Sequence, residues 1–82
     1  MRIITLREAT DEQIIEYIYD NPQEWEIQDF IGNDYDYEVV RGEEEFEVTI
    51  FNVCYVELDE DEASGPRDFI FNFPTNMEIE VE

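Results

Sequence analysis

The chain has 82 residues, 24 of them acidic and four of them arginine, with no lysine and no histidine, for a net charge of −20. That length holds one domain, near the lower limit for a self-sufficient core, yet 43% apolar and 15% aromatic residues argue against disorder. The charge balance speaks against direct nucleic-acid binding, whose phosphate contacts need arginine and lysine. It also removes the histidine and lysine on which most general-base and Schiff-base chemistry rests, so the chain reads as a binding protein and not as an enzyme.

Arg2 to Leu6 is a short β-prone run. Thr10 reads as an N-cap, with Asp11 and Glu12 in the first helical turn and Gln13 completing a T-x-x-Q capping box. Ile14, Ile15 and Ile18 share one face of this helix, which should end near Asp20 because Pro22 disfavours helical geometry at Asn21. From Pro22 to Gly32 two readings compete. Asn21, Pro22 and Glu24 suit a second short helix, whereas Trp25, Ile27 and Ile31 alternate with Glu24, Glu26 and Gln28 as in a strand. The strand is favoured, since a helix would set Trp25 opposite Ile27 and Phe30.

Gly32, Asn33 and Asp34 are turn residues. Tyr35 to Arg41 alternates Tyr35, Tyr37 and Val39 with Asp36, Glu38 and Val40, and Gly42 with Glu43 opens a hairpin. Glu45 to Leu58 is the strongest element. Strict alternation puts Phe46, Val48, Ile50, Cys54, Val56 and Leu58 on one face, and Glu45, Glu47, Thr49, Phe51, Val53, Tyr55 and Glu57 on the other. Apolar residues on both faces mark a central strand, bent near Asn52. On this register Phe46, Ile50 and Val56 face the helix, opposite Ile14 and Ile18. Asp59 to Gly65 is an acidic loop, Phe69, Phe71 and Phe73 alternate on a strand ended by Pro74, and Met77, Ile79 and Val81 alternate with Glu78, Glu80 and Glu82. The expected architecture is one α+β domain over residues 1–82, with one N-terminal helix packed on a mostly antiparallel sheet of four to six strands.

The charge is uneven. Residues 1–22 hold five acids and two arginines, net −3, and residues 23–82 hold nineteen acids and two arginines, net −17. A compact domain of this length spans roughly 30 Å, over which B-DNA carries about 18 charges. Alternate carboxylates on a strand repeat every ~6.6 Å, close to two phosphate rises of ~3.4 Å, and carboxylates take arginine forks much as phosphates do. The candidate partner-binding acids are Asp34, Asp36, Glu38, Glu43, Glu44, Glu45, Glu47, Glu57, Asp59, Glu60, Asp61 and Glu62. They fall in two turns and the strand ends those turns join, so that one sheet edge is expected to present many of them together.

No cofactor and no dedicated metal site is expected. Asp59, Asp61 and Ala63 begin like a calcium loop, but the required glycine is missing from its sixth position. The single cysteine, Cys54, excludes an internal disulfide and reads as a buried thiol. No basic region followed by an apolar run opens the chain, no run is long enough to span a membrane, and anionic lipid surfaces would repel it. The expected compartment is therefore the cytoplasm, that of the host if a phage encodes the chain.

In character the chain resembles the small acidic inhibitors that phages and mobile elements use against host defences, the DNA-mimicking antirestriction and anti-CRISPR proteins. The helix around Ile14, Ile15 and Ile18, followed by Glu24-Trp25-Glu26-Ile27-Gln28-Asp29-Phe30, is similar to a segment of ArdA-type antirestriction proteins in which a helix leads to a strand of pattern E-[WY]-x-I-x-D-[YF]. The likeness covers residues 11–31. It implies mimicry of duplex DNA and inhibition of a restriction or CRISPR enzyme through its DNA channel, and it implies no catalytic residue. The reading is thus a polyanionic mimic that binds and inhibits a basic DNA- or RNA-binding protein, as a monomer or a homodimer. The alternative is an acidic assembly protein suited to high salt or to a cationic subunit.

Overall fold

In a computed structural model, which describes residues 1–32 and 36–81, the capping box closes as the sequence predicts. The Thr10 hydroxyl accepts the Gln13 N–H at 3.1 Å, and the Gln13 side chain accepts the Thr10 N–H at 2.9 Å. They start helix α1, Asp11–Asp20, whose Ile14, Ile15 and Ile18 are buried. Asn21 ends it, donating its side-chain N–H to the Tyr17 carbonyl at 2.8 Å.

Six antiparallel strands accompany the helix: β1 (Arg2–Thr5), β2 (Ile27–Ile31), β3 (Asp36–Arg41), β4 (Glu45–Glu57), β5 (Ala63–Pro74) and β6 (Glu78–Val81). The fold is α+β, as expected, but the strands divide into two sheets: a β1–β6 ladder, and a larger sheet in which β4 pairs with β2, β3 and β5. β5 follows β4 from Glu45 to Val56, which uses one edge of β4 entirely. β2 and β3 share the other edge in series, β2 along Cys54–Glu57 and β3 along Phe46–Phe51. All four strands thus make a ribbon three strands wide and as long as β4.

The segment after the helix resolves the two competing readings by halves. Pro22–Trp25 forms a 3-10 turn, Glu26 adopts a left-handed conformation with φ of 60°, and the strand starts only at Ile27. Trp25 is therefore not a strand residue. Its indole N–H donates to the Ile18 carbonyl at 3.2 Å and its ring packs on Phe71 and Phe73. The acidic loop is also shorter than expected, because β5 already begins at Ala63.

The larger correction concerns β4. Phe46, Val48 and Ile50 are buried as expected, but beyond Asn52 the buried residues are Val53 and Tyr55. Asn52 has φ of 56°, and the pairing with β5 shifts register between Ile50 and Val53. This is a β-bulge: one residue outside the pleat reverses which parity faces inward. Val56 and Cys54 consequently lie half-buried on the opposite face, and Leu58 is exposed. The thiol is not a core group.

One core joins both sheets and the helix. It holds Leu6, Ala9, the three isoleucines of α1, Ile27, the inward residues of β4, Phe69, Phe71 and Phe73, Ile79 and Val81. Among the described residues one ion pair forms, Arg41 with Asp11, so few of the 24 carboxylates in the sequence have a cationic side chain to offset them. Raising ionic strength from ~0.01 to ~0.5 M shortens the screening length from about 30 to about 4 Å. We expect the melting temperature to rise by about 5–15 °C over that range, for a gain of ~1–2 kcal/mol in so small a domain. A differential scanning calorimetry series checks this; a melting temperature indifferent to salt would mean that self-repulsion does not limit stability.

Candidate partner-binding face

The ribbon has two faces, and cross-strand partners point to the same side. One face packs on α1. The other is uncovered, and its residues follow from the register. Asp36, Glu38 and Val40 of β3 lie opposite Phe51, Thr49 and Glu47 of β4. Thr49 and Glu47 lie opposite Ile70 and Asn72 of β5, with Asp68 one pleat further along. Beyond the bulge, Asp29 and Ile31 of β2 lie opposite Val56 and Cys54. Apolar residues are interspersed on this face, with Ile31, Val40 and Ile70, on three different strands, 42%, 50% and 63% exposed. Asp29, Asp36, Glu38, Glu45, Glu47 and Asp68 lie among them, all exposed.

None of the four arginines lies on this face. Arg41 and Arg67 have the inward parity of their partners Phe46 and Val53. Arg41 donates to the Ala9 carbonyl at 3.0 Å and pairs with Asp11 on the helix. The Arg67 guanidinium stacks over Phe69 at 4.3 Å and Tyr55 at 5.5 Å. Arg7 donates to the Glu43 carbonyl at 3.0 Å and to the Thr75 hydroxyl at 3.3 Å, and Arg2 is on β1. The few cations serve the fold, and the open face is left with carboxylates alone among its charged groups.

The expected acids divide into three groups. Asp36, Glu38, Glu45 and Glu47 lie together on the open face. Glu43 and Glu44 sit in the β3–β4 hairpin, closed by the Gly42 N–H donating to the Glu45 carbonyl at 3.1 Å. Glu57, Asp59, Glu60, Asp61 and Glu62 sit at the β4–β5 connection, where Asp59 has φ of 66°. Asp34 lies outside the described residues. The two turns stand at opposite ends of a strand 13 residues long, in a body 37 Å in its longest dimension. They do not meet along one edge, and β4, which joins them, is paired on both sides among the described residues. Among the described residues no three carboxylates converge to hold a metal ion.

Sequence reasoning missed Asp29, Asp68 and the exposed Ile31, Val40 and Ile70. Asp68 was within reach, because it alternates with Ile70 and Asn72 against the three phenylalanines. Asp29 was not, because β2 has its own register shift between Ile27 and Asp29. Asp68 also supports the fold, since its carboxylate accepts the Asn52 N–H at 3.0 Å and so ties down the bulge.

On the far side, α1 and β6 flank a groove lined by Glu16, Tyr17, Asp20 and Glu80. The Tyr17 hydroxyl donates to Glu24 at 2.8 Å. Burial, and then the Glu24 hydrogen bond and charge, push the phenol up to about 12 from an ordinary value of 10.0. A raised phenol pKa favours the folded state below pH ~10 and loses that contribution as pH climbs towards ~12, since the unfolded chain releases the proton first. We expect an ultraviolet titration to show one phenol ionising well above an ordinary tyrosine, and Glu24→Gln to lower it.

The chain matches no family model, no curated protein and no solved structure. No helix among the described residues is long and apolar enough to cross a membrane.

Proposed function

We propose that the protein is a polyanionic nucleic-acid mimic that binds and inhibits a basic DNA- or RNA-binding protein, docking through the open face of the four-stranded sheet. The observation that carries this is the segregation of charge: six exposed carboxylates interspersed with apolar residues on one face, with every arginine kept off it. Charge density supports it as well. Over 37 Å B-DNA carries about 22 negative charges, at one per ~1.7 Å of axis, against a net −20 for the chain. The length exceeds the span expected from sequence because the fold is a ribbon instead of a sphere. A protein surface built to hold phosphates presents arginine and lysine, which take carboxylates in the same forked geometry.

A restriction or CRISPR enzyme is the target class implied by the likeness at Glu24–Phe30. In the fold, Glu24 and Trp25 of that segment belong to the 3-10 turn and Ile27–Phe30 to β2, so the likeness supplies Asp29 to the face and little else. Charge-steered binding is fast and weakens with salt. The test is displacement. The immobilised protein is used to capture basic proteins from a host lysate fraction that heparin retains, and each captured protein is then loaded with a labelled duplex. Stoichiometric release of the duplex, suppressed by salt, is the expected result. If no captured protein gives up its nucleic acid, the mimic reading fails and the assembly reading replaces it.

A further inference from the structure

We infer that β5 is a self-association edge, pairing antiparallel with β5 of a second copy about a two-fold axis at Ile70. Among the described residues β5 pairs with β4 alone, so its outer edge is open. The free groups can be assigned. The Thr75 N–H donates to the Glu44 carbonyl at 3.1 Å, and N–H and C=O groups alternate sides along an antiparallel ladder. Phe69, Phe71 and Phe73 therefore bond to β4, and Asp68, Ile70 and Asn72 direct theirs outward. Such a row is a template for another strand unless it is blocked.

Here the row is bracketed and not blocked. Pro66 and Pro74, which have no N–H, stand four residues either side of Ile70. With Ile70 facing its own counterpart, Asp68 lies opposite Asn72 of the second copy, and the outward N–H groups of all three residues meet carbonyls. The prolines then fall opposite each other, where no donor is required. Ile70, 63% exposed, packs against its own copy. In the same register Asp68 faces an amide and not a carboxylate.

Charge selects the occupant. Residues 63–77 hold one acid, Asp68, and one base, Arg67, and so are neutral within a chain of net −20. Of the other strands with an outer edge among the described residues, β2 carries Asp29, β3 carries Asp36 and Glu38, and β6 carries Glu78 and Glu80; β1 carries no acid, but it is four residues long and has Glu78 and Glu80 directly across from it on β6. A basic partner would gain little from a neutral strand. The two open faces would then lie side by side in one continuous sheet, but the inference does not depend on what binds them.

Salt separates this contact from the proposed function, because screening must strengthen association between like-charged copies and weaken docking of a basic partner. Sedimentation velocity of the whole chain at ~0.05 and ~0.5 M salt is the measurement. The expected result is a 9.9 kDa monomer at low salt, moving towards twice that mass at high salt. Ile70→Lys sets two ammonium groups against each other at the axis and should hold the chain monomeric at both salts, with its circular dichroism unchanged. Asn72→Lys places a lysine opposite Asp68 of the other copy twice per dimer, and at low salt should tighten association about 2- to 30-fold. Asn72→Asp should loosen it. Strictly monomeric parent and Asn72→Lys proteins at both salts would overturn the inference. So would a dimer that Ile70→Lys leaves intact, or one that salt dissolves.

Discussion

Ile50→Ala should be the most damaging single truncation in the chain. Ile50 is fully buried at the centre of β4, between Tyr37 of β3 and Phe69 of β5, on the face that meets α1. Removing its three outer carbons costs about 2–5 kcal/mol, transfer and cavity terms together. A domain of this size has roughly 4–12 kcal/mol in all, and self-repulsion places this one towards the low end. The urea midpoint should fall by a third or more. Val56→Ala is the informative companion. Strict alternation would make it equally costly, but past the Asn52 bulge Val56 is only half-buried on the open face, and its truncation should cost about 1 kcal/mol or less. Equal losses from the two variants would mean that the parity does not reverse.

The second large effect belongs to the open face. Neutralising Asp36, Glu38, Glu45 and Glu47 to Asn and Gln keeps shape and removes four charges. Exposed ion pairs contribute about 0.2–1 kcal/mol each, so affinity for the basic target should drop by roughly 1–4 kcal/mol, a factor of about 5 to 1,000, while thermal stability rises. Neutralising Asp59, Glu60, Asp61 and Glu62 removes the same charge from the far turn and serves as the control. If docking centres on the face, the turn variant loses only the long-range steering contribution and displaces a duplex nearly as well as the parent. A turn variant that fails while the face variant succeeds would move the site to the β4–β5 connection. A third variant, Val40→Ser with Ile70→Ser, probes the exposed apolar residues of the face: it should weaken the part of binding that survives high salt.

Local chemistry in the sequence goes far towards this fold. The capping box, Pro22 and the Gly42 hairpin each act within a few residues, and each appears where its chemistry predicts. What sequence could not supply was set across the sheet. A bend near Asn52 is legible in the sequence but the change of parity is not, because only its left-handed backbone, held by Asp68 from the neighbouring strand, turns Val53 and Tyr55 inward. The same limit governed the site. Asp36, Glu38, Glu45 and Glu47 were legible because they alternate beside a hairpin whose two strands are consecutive in sequence. That Arg41 reaches back to Asp11, and that Arg67 lies over Tyr55 and Phe69, depends on tertiary neighbours. Those placements, more than the number of acids, are what leave one face without a cation.

The division into two sheets has a kinetic consequence. β3, β4 and β5 follow one another through short turns, so their pairing closes small loops and can proceed early. The β1–β6 ladder joins Arg2 to Val81, almost the full contour of the chain, and contacts of such sequence separation are slow to form because loop closure precedes any gain. β1 and β6 are also short, four residues each, and among the described residues neither pairs with any other strand. We expect the meander to pair first and the β1–β6 ladder to act as the latch, last to close on folding and first to open on the way out.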